Sequence, residues 1–196
     1  MKTTMKRMVI FASGSGTNAE NIIRYFRERE GVRVKRVYTP NPLAGVIARC
    51  ERLGVPCTVF SREAWKSGEI TRLLLAENPD LIILAGFMWL VPAEIIAAFP
   101  GRIVNIHPAL LPKYGGKGMY GDHVHKAVSE AGETETGITI HYVNERYDEG
   151  QIVFQERISI NPHEDPAIIA AKVHELEYRW YPAVIEKIVL PDHRSL

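Results

Sequence analysis

Short apolar runs alternate with amphipathic stretches through the first half of the chain. Apolar runs bounded by Gly, Pro or Asn are typical of strands, and apolar residues at every third or fourth position are typical of helices. The alternation predicts parallel strands joined by crossover helices. The predicted strands cover residues 8–12, 32–38, 57–60, 81–85 and 103–106, with helices in the gaps.

The apolar run at 81–85 predicts a strand more strongly than the other runs do. Asn78, Pro79 and Asp80 are turn-forming residues immediately before 81–85, whose sequence is Leu-Ile-Ile-Leu-Ala. A strand that is apolar at successive positions is buried on both faces. We therefore predict that this strand lies centrally in the sheet.

The pattern changes after Pro108. Residues 110–121 are rich in Gly, Pro and Lys, which predicts a mobile loop, and a helical pattern follows at 124–130. Residues 137–143 and 151–160 are predicted as an antiparallel hairpin around 144–150. Asp165 and Pro166 suit the N-cap and first position of a final helix that continues to about residue 189. The predicted fold is α/β: a Rossmann-like, mainly parallel sheet with an added C-terminal antiparallel hairpin and a final helix.

Composition excludes several classes of protein. The chain has 196 residues, 46% of them hydrophobic, and a net charge of +1, so we expect one globular domain over residues 1–196 and no nucleic-acid partner. Its two cysteines, Cys50 and Cys57, lack metal-ligand spacing. The basic segment 1–8 leads into an apolar run of only about six residues, too short for a leader or a membrane span. These features predict a cytoplasmic protein without a membrane partner.

A glycine-rich segment, Ser-Gly-Ser-Gly-Thr-Asn at 13–18, joins the first strand to the first helix. Free backbone N–H groups and the helix dipole favour an anion there, and phosphate is the obvious candidate. A dinucleotide is disfavoured because Ala19 replaces the third glycine of the usual motif and no acidic residue ends the second strand. The alternative interpretation is a tight turn without a ligand.

Two polar residues end the fifth predicted strand. Asn105 and His107 are two positions apart, so both side chains point to the same side of the strand, at the edge where open α/β sheets bind ligands. A buried histidine that is merely hydrogen-bonded in the core is the alternative. Asp148 lies in the predicted hairpin turn, where a solvated carboxylate is the simplest interpretation, and spacing alone does not bring it to His107.

The segment 105–114, Asn-Ile-His-Pro-Ala-Leu-Leu-Pro-Lys-Tyr, resembles the signature of folate-dependent formyltransferases. The resemblance extends over nearly the whole chain and is strongest to the members that act on glycinamide ribonucleotide. It implies transfer of a formyl group from 10-formyltetrahydrofolate, a cosubstrate, to the amine of that ribonucleotide in purine synthesis. Further matching segments are 13–18, 84–88, 137–143, 148–150 and 181–182.

The resemblance also implies roles for individual residues. Asn105, His107 and Asp148 match the catalytic group: Asn105 would donate to the oxyanion, Asp148 would keep His107 protonated and position a proton-relaying water. The matching substrate contacts are Gly16, Thr17, Asn18, Arg62 and Glu177. The matching folate contacts, made largely through the backbone, are Met88, Trp89, Leu90, Glu145, Arg146 and Tyr147. Without the resemblance, Arg62 and Glu177 would be interpreted as solvated helix charges.

The other histidines give weaker signals. His123 and His125 are two positions apart on a predicted helix and face different directions, so we expect no metal site. His125 and His141 resemble family positions near the active site, whereas His163 and His174 have no assigned role. Residues 115–121 make the loop a few residues longer than in commoner family members, which leaves the folate contacts there open.

Three other functions compete with this interpretation. A formyltransferase for initiator methionyl-tRNA or an amino-sugar nucleotide would share the Asn/His/Asp group, but the tRNA enzyme has an additional C-terminal domain and a basic surface. A formyl-folate hydrolase would have an additional N-terminal domain. A non-catalytic binding protein on the same fold is the rival from another class. We expect small-molecule partners and a monomer or homodimer.

Overall fold

The computed structural model describes residues 5–191, so half of the basic segment 1–8, residues 1–4, lies outside the described residues. The strands are β1 (Lys6–Phe11), β2 (Val32–Thr39), β3 (Cys57–Val59), β4 (Leu81–Leu84), β5 (Ile103–His107), β6 (Glu135–Tyr142) and β7 (Ile152–Ser159). The helices are α1 (Thr17–Arg27), α2 (Gly45–Leu53), α3 (Arg62–Lys66), α4 (Glu69–Glu77), α5 (Ala93–Ala98), α6 (Asp122–Glu130) and α7 (Pro166–Val189).

The strands form one sheet in the order β3-β2-β1-β4-β5-β6-β7. β1 pairs in parallel with β2 and β4, β2 pairs in parallel with β3, and β6 and β7 are antiparallel. This arrangement confirms the predicted fold class. β4 is fourth of the seven strands and all four of its residues are buried, as its continuous apolar run predicts. The first and last residues of each predicted strand differ by at most two positions from those of the observed strand.

Contacts divide the chain into two compact units, the first containing residues 5–104 and 182–191 of the described chain. Its core contains the inward face of α1, where Ala19, Ile22, Ile23 and Phe26 are buried at helical spacing. Phe11 of β1 stacks on Tyr38 with ring centroids 4.9 Å apart. This unit therefore has the alternating strands and helices that the sequence predicts.

The second unit is Asn105–Tyr181 and contains the hairpin of β6 and β7. In the pairing of β6 with β7, Glu135 lies opposite Ser159, and the register shifts by one residue between Ile140 and His141. α7 begins as predicted, because Asp165 Oδ1 accepts a hydrogen bond from the N–H of Ala167 at 2.7 Å. Turns, without a helix or strand, occupy most of 110–121.

Candidate active site

Asn105 and His107 occupy alternate positions of β5, so their side chains leave the strand on the same side. His107 is 3% exposed and Asn105 is half-buried. His107 Nε2 lies 2.7 Å from the carbonyl oxygen of Tyr114. Because a carbonyl only accepts, Nε2 is the protonated nitrogen of the ring and Nδ1 is the one free to gain a proton.

Asp148 lies beside that second nitrogen. Its Oδ2 is 3.5 Å from His107 Nδ1 and accepts a hydrogen bond of 2.9 Å from the N–H of Gly116. The Asp148 side chain is 11% exposed, so it is not the solvated turn residue of the alternative interpretation. The tertiary fold brings together two residues whose proximity their spacing could not predict.

His141 completes the group and was not among the residues assigned a role from the sequence. Its Nδ1 donates to the carbonyl of Tyr142 at 2.9 Å, which leaves Nε2 to accept from Asn105 Nδ2 at 3.2 Å. The same Nε2 lies 3.6 Å from Asp148 Oδ1. His141 therefore connects Asn105 with Asp148. The resemblance of His141 to a family position near the active site was the signal for it in the sequence, without a role attached.

Gly150 allows the turn that contains Asp148 to approach β6. A Cβ atom at this position would lie 1.6 Å from the carbonyl oxygen of Tyr142 and 3.4 Å from His141 Nδ1. No other residue fits without displacing the backbone. The glycine thus fixes how closely Asp148 packs against His141.

Burial and charge set the protonation of this group. Burial lowers the pKa of His107 and outweighs the Asp148 carboxylate and the Tyr114 carbonyl, which raise it. Burial alone would raise the pKa of Asp148, but the neighbouring His141 and His107 side chains and the hydrogen bond from the Gly116 N–H together lower it. At neutral pH Asp148 is ionised and His107 is neutral. In the ligand-free protein the cost of burying the imidazolium outweighs its stabilisation by Asp148, so the role of Asp148 in keeping His107 protonated during catalysis stays a prediction.

Glu177 on α7 belongs to the same electrostatic environment. It is 5% exposed, and its charge raises the pKa of His107, so it is not a solvated helix charge. His174 Nδ1 lies 2.8 Å from Glu177 Oε2, and this hydrogen bond raises the pKa of His174 above its usual value. The structure thus gives His174, which had no assignment from the sequence, a buried carboxylate as its partner.

The predicted folate contacts before Asp148 form an open turn. Glu145 and Arg146 are exposed and Tyr147 is half-buried. Arg146 Nη1 pairs with Glu149 at 2.9 Å. The exposure of Glu145 and Arg146 suits the contacts that the family resemblance implies.

The glycine-rich segment belongs to the first unit and opens α1. Gly16 has φ of 75° and precedes Thr17, the first residue of the helix, with Asn18 following. A Cβ on Gly16 would lie 2.4 Å from the Val46 side chain, so only glycine fits. The N–H groups at this helix terminus are those that the sequence predicts to bind an anion.

Arg62 and the first predicted folate segment meet in the same unit. The Arg62 guanidinium carbon lies 4.8 Å from the centre of a Trp89 ring, so Arg62 is partnered and not simply solvated. The N–H of Met88 donates to Ser13 Oγ at 3.3 Å, and Trp65 Nε1 donates to the Leu90 carbonyl at 3.1 Å. Met88 and Leu90 expose 47% and 42% of their surface.

Within residues 5–191, no three His, Cys, Asp or Glu side chains come together in a group that could hold a metal ion. His123 is exposed and His125 is buried, so the two histidines face different surroundings as their spacing predicts. Over the same range, no helix combines the length and the apolar character needed to cross a bilayer.

Comparisons with known proteins agree with the geometry. The family model described as formyl transferase matches residues 6–185. The chain is 35% identical to phosphoribosylglycinamide formyltransferase of Bacillus subtilis, with 97% of this chain and 98% of that protein covered. It is 36% identical to the chloroplastic phosphoribosylglycinamide formyltransferase of Arabidopsis thaliana, but spans only 65% of that protein's length.

Solved structures that resemble this chain have the same family of activities in their names. A glycinamide ribonucleotide transformylase from Geobacillus kaustophilus superposes with a TM-score of 0.85 at 37% identity, covering 94% of this chain and 99% of that one. A phosphoribosylglycinamide formyltransferase from Brucella melitensis superposes with a TM-score of 0.84 at 34% identity, covering 98% and 100%.

Proposed function

The chain belongs to the formyl transferase family, and on that premise we propose that it transfers a formyl group from 10-formyltetrahydrofolate to the amine of glycinamide ribonucleotide in purine synthesis. The observation that carries the proposal is the buried group in which Asp148 lies against His107 and, through His141, Asn105. Hydrogen-bond donors and an ionised carboxylate held together in this way suit acyl transfer to an amine. The relatives named above bear the matching activity in their names.

Asn105 supplies a donor for the oxyanion. When the amine attacks the formyl carbon, a C–N bond forms and negative charge develops on the formyl oxygen. Asn105 Nδ2 carries two hydrogens, and only one is needed for the bond to His141. The second can donate to the oxyanion, while His141 fixes the orientation of the amide.

His107 responds to the same charge. Its pKa is lowered in the ligand-free protein, and negative charge developing nearby favours uptake of a solvent proton at Nδ1, where Asp148 stabilises the imidazolium. The ring returns this proton to solvent after the products leave. The tetrahedral intermediate collapses by breaking the bond between the formyl carbon and N10 of the folate. The proton lost by the amine moves to N10 through a water that Asp148 positions.

The acceptor and the folate have separate sets of proposed contacts. Gly16, Thr17 and Asn18 bind the ribonucleotide phosphate at the helix terminus, assisted by Arg62, and Glu177 accepts hydrogen bonds from the glycinamide end. The folate contacts are the backbone and apolar side chains of Met88, Trp89 and Leu90 and the backbone of Glu145, Arg146 and Tyr147. The exposed apolar side chains of Met88 and Leu90 support this assignment.

The remaining parts of the proposal concern the whole chain. We treat residues 1–196 as one formyltransferase domain, because the family match runs through both compact units. The enzyme needs no metal, acts in the cytoplasm, and works on small molecules as a monomer or homodimer. Sedimentation of the purified protein would measure the oligomeric state.

A comparison of amine acceptors tests the function. With 10-formyltetrahydrofolate as donor and deformylation followed by absorbance, glycinamide ribonucleotide should be at least about a hundredfold better in kcat/KM than its dephosphorylated riboside, since contacts to the phosphate stabilise both the bound substrate and the transition state relative to the free substrate. Equal activity on the riboside, or activity only on methionyl-tRNA or a sugar nucleotide, would refute the proposed acceptor. Deformylation without any acceptor would identify a hydrolase, and no reaction at all would favour a binding protein.

A further inference from the structure

Helix α2 donates hydrogen bonds to two carbonyl groups of the glycine-rich segment 13–18. The N–H of Val46 donates to the carbonyl of Gly14 at 3.2 Å, and Arg49 Nε donates to the carbonyl of Ser15 at 2.7 Å. Two successive carbonyls of the segment are therefore fixed by one helix, the first by its backbone and the second by a side chain.

Holding these carbonyls also orients the N–H groups. In a planar trans peptide the C=O and the N–H point in opposite directions. With the carbonyls of Gly14 and Ser15 turned towards α2, the N–H groups of Ser15 and Gly16 point away from it. Donors that face one way without needing to reorganise bind an anion more tightly than donors on a free loop.

Arg49 is itself held in place. Its guanidinium pairs with Glu20 in the first turn of α1, and this contact is the largest of those that lower the pKa of Glu20 to about 2. The N–H of Glu20 in turn donates to the carbonyl of Gly16 at 2.9 Å. Arg49 thus connects α1, α2 and the segment between β1 and α1.

We infer that Arg49 is a positioning residue for phosphate recognition, acting through the Ser15 carbonyl without being a catalytic residue. The inference rests on the proposed function for its physiological ligand, glycinamide ribonucleotide. The mechanism is preorganisation: Arg49 keeps the N–H donors of the segment aligned before the phosphate arrives.

Arg52 provides a matched control. It lies on the same helix and pairs with the same carboxylate, with Nη2 2.7 Å from Glu20 Oε2. Replacing Arg52 or Arg49 by methionine removes the same charge, but Arg49 is the one that donates to the Ser15 carbonyl. A difference between the two variants separates positioning from the general electrostatic attraction of the arginines.

Binding of ribose 5-phosphate, measured by calorimetry, is the first test because it does not depend on the acceptor being correctly identified. Arg49→Met should weaken binding at least about tenfold, Arg52→Met less than about twofold, and Arg49→Lys should be intermediate, since one ammonium reaches the carbonyl or Glu20 but not both. Equal losses in the two methionine variants would overturn the inference. If the wild type does not bind ribose 5-phosphate, the phosphate site and the inference both fail.

Kinetics provide the second test. In Arg49→Met, KM for glycinamide ribonucleotide should rise about tenfold while kcat and KM for the folate stay within about threefold, and KM for the dephosphorylated riboside should not change. A general loss of folding would affect all substrates, and circular dichroism would reveal it. An equal rise in KM for the riboside would contradict a role in phosphate recognition. If neither acceptor reacts, the proposed function fails, whereas the binding test still decides the role of Arg49.

Discussion

His107 illustrates how burial and charge compete at a single residue. Its ring is almost completely buried, which disfavours the imidazolium, although a carboxylate oxygen lies 3.5 Å from Nδ1. The ligand-free protein therefore holds a neutral ring beside an ionised Asp148. In the proposed mechanism, a proton is taken up when substrate brings additional negative charge, which links protonation of His107 to catalysis.

His174 behaves in the opposite way, and its effect on stability can be measured. The hydrogen bond to Glu177 raises the pKa of His174, with a smaller contribution from Asp122, while His125 and a stacked Tyr178 are its other neighbours. A group whose pKa is raised by folding stabilises the protein fully below its unfolded pKa near 6.5 and loses this effect as pH rises through the folded pKa.

We therefore expect His174→Gln to cost more stability at pH 5.5 than at pH 9. The difference should be below about 1 kcal/mol, because the side chain is half-exposed and solvent screens the pair. Urea unfolding of both proteins at the two pH values would measure it. In a Glu177→Gln background the same replacement should have no such pH dependence, and a persistent one would exclude Glu177 as the cause.

At the scale of elements, the segment 115–121 differs from its surroundings. It contains four glycines among seven residues, and the 110–121 region is built mainly of turns. One of its backbone contacts is the hydrogen bond from the Gly116 N–H to Asp148 Oδ2, which joins the segment to the proposed catalytic group. Movement of the segment would thus change a hydrogen bond that lowers the pKa of Asp148.

We expect this segment to become ordered when folate binds. Glycines lose much conformational entropy on ordering, and contacts with the bound ligand would compensate for that loss. Hydrogen exchange of amides 115–121 should slow at least about tenfold with a non-transferable folate analogue, while amides of β4 should not change. Exchange in 115–121 that is the same with and without the analogue would contradict a lid.

At the scale of the whole molecule, the proposed roles fall on different compact units. Thr17 belongs to the first unit, whereas His107 and its partners belong to the second. The proposal assigns the remote phosphate to Thr17 and the reacting carbon to His107. Substitutions in the two units should therefore affect different kinetic constants.

We expect His107→Ala to lower kcat at least about a hundredfold while KM for glycinamide ribonucleotide changes little. Thr17→Val should instead raise KM about tenfold with a smaller effect on kcat, because it removes a phosphate contact that is equal in ground and transition states. His123→Ala, on the exposed face of α6, serves as a control and should match the wild type. A raised KM in His107→Ala together with a lowered kcat in Thr17→Val would exchange the proposed roles of the two residues. A wild-type kcat in His107→Ala would refute the catalytic assignment.

Local pattern was enough to predict most of the elements and the fold class. Apolar runs and turn residues are properties of neighbouring positions, which is why the central β4 and the start of α7 at Pro166 agree with the structure. The alternation of side chains along β5 likewise predicted that Asn105 and His107 share a side. The glycine-rich turn between β1 and α1 was predictable for the same reason, since it depends on one strand, one turn and one helix.

Only the tertiary structure decided which distant residues meet and how they titrate. The contact of Asp148 with His107, the bridging position of His141 and the partner of His174 all join residues from separate elements, and no local pattern encodes them. The neutral state of His107 depends on how completely the folded chain removes it from water, a sum over many contacts. The sequence by itself therefore determined the elements and the residue types of the candidate site, whereas tertiary packing determined its geometry and its charge.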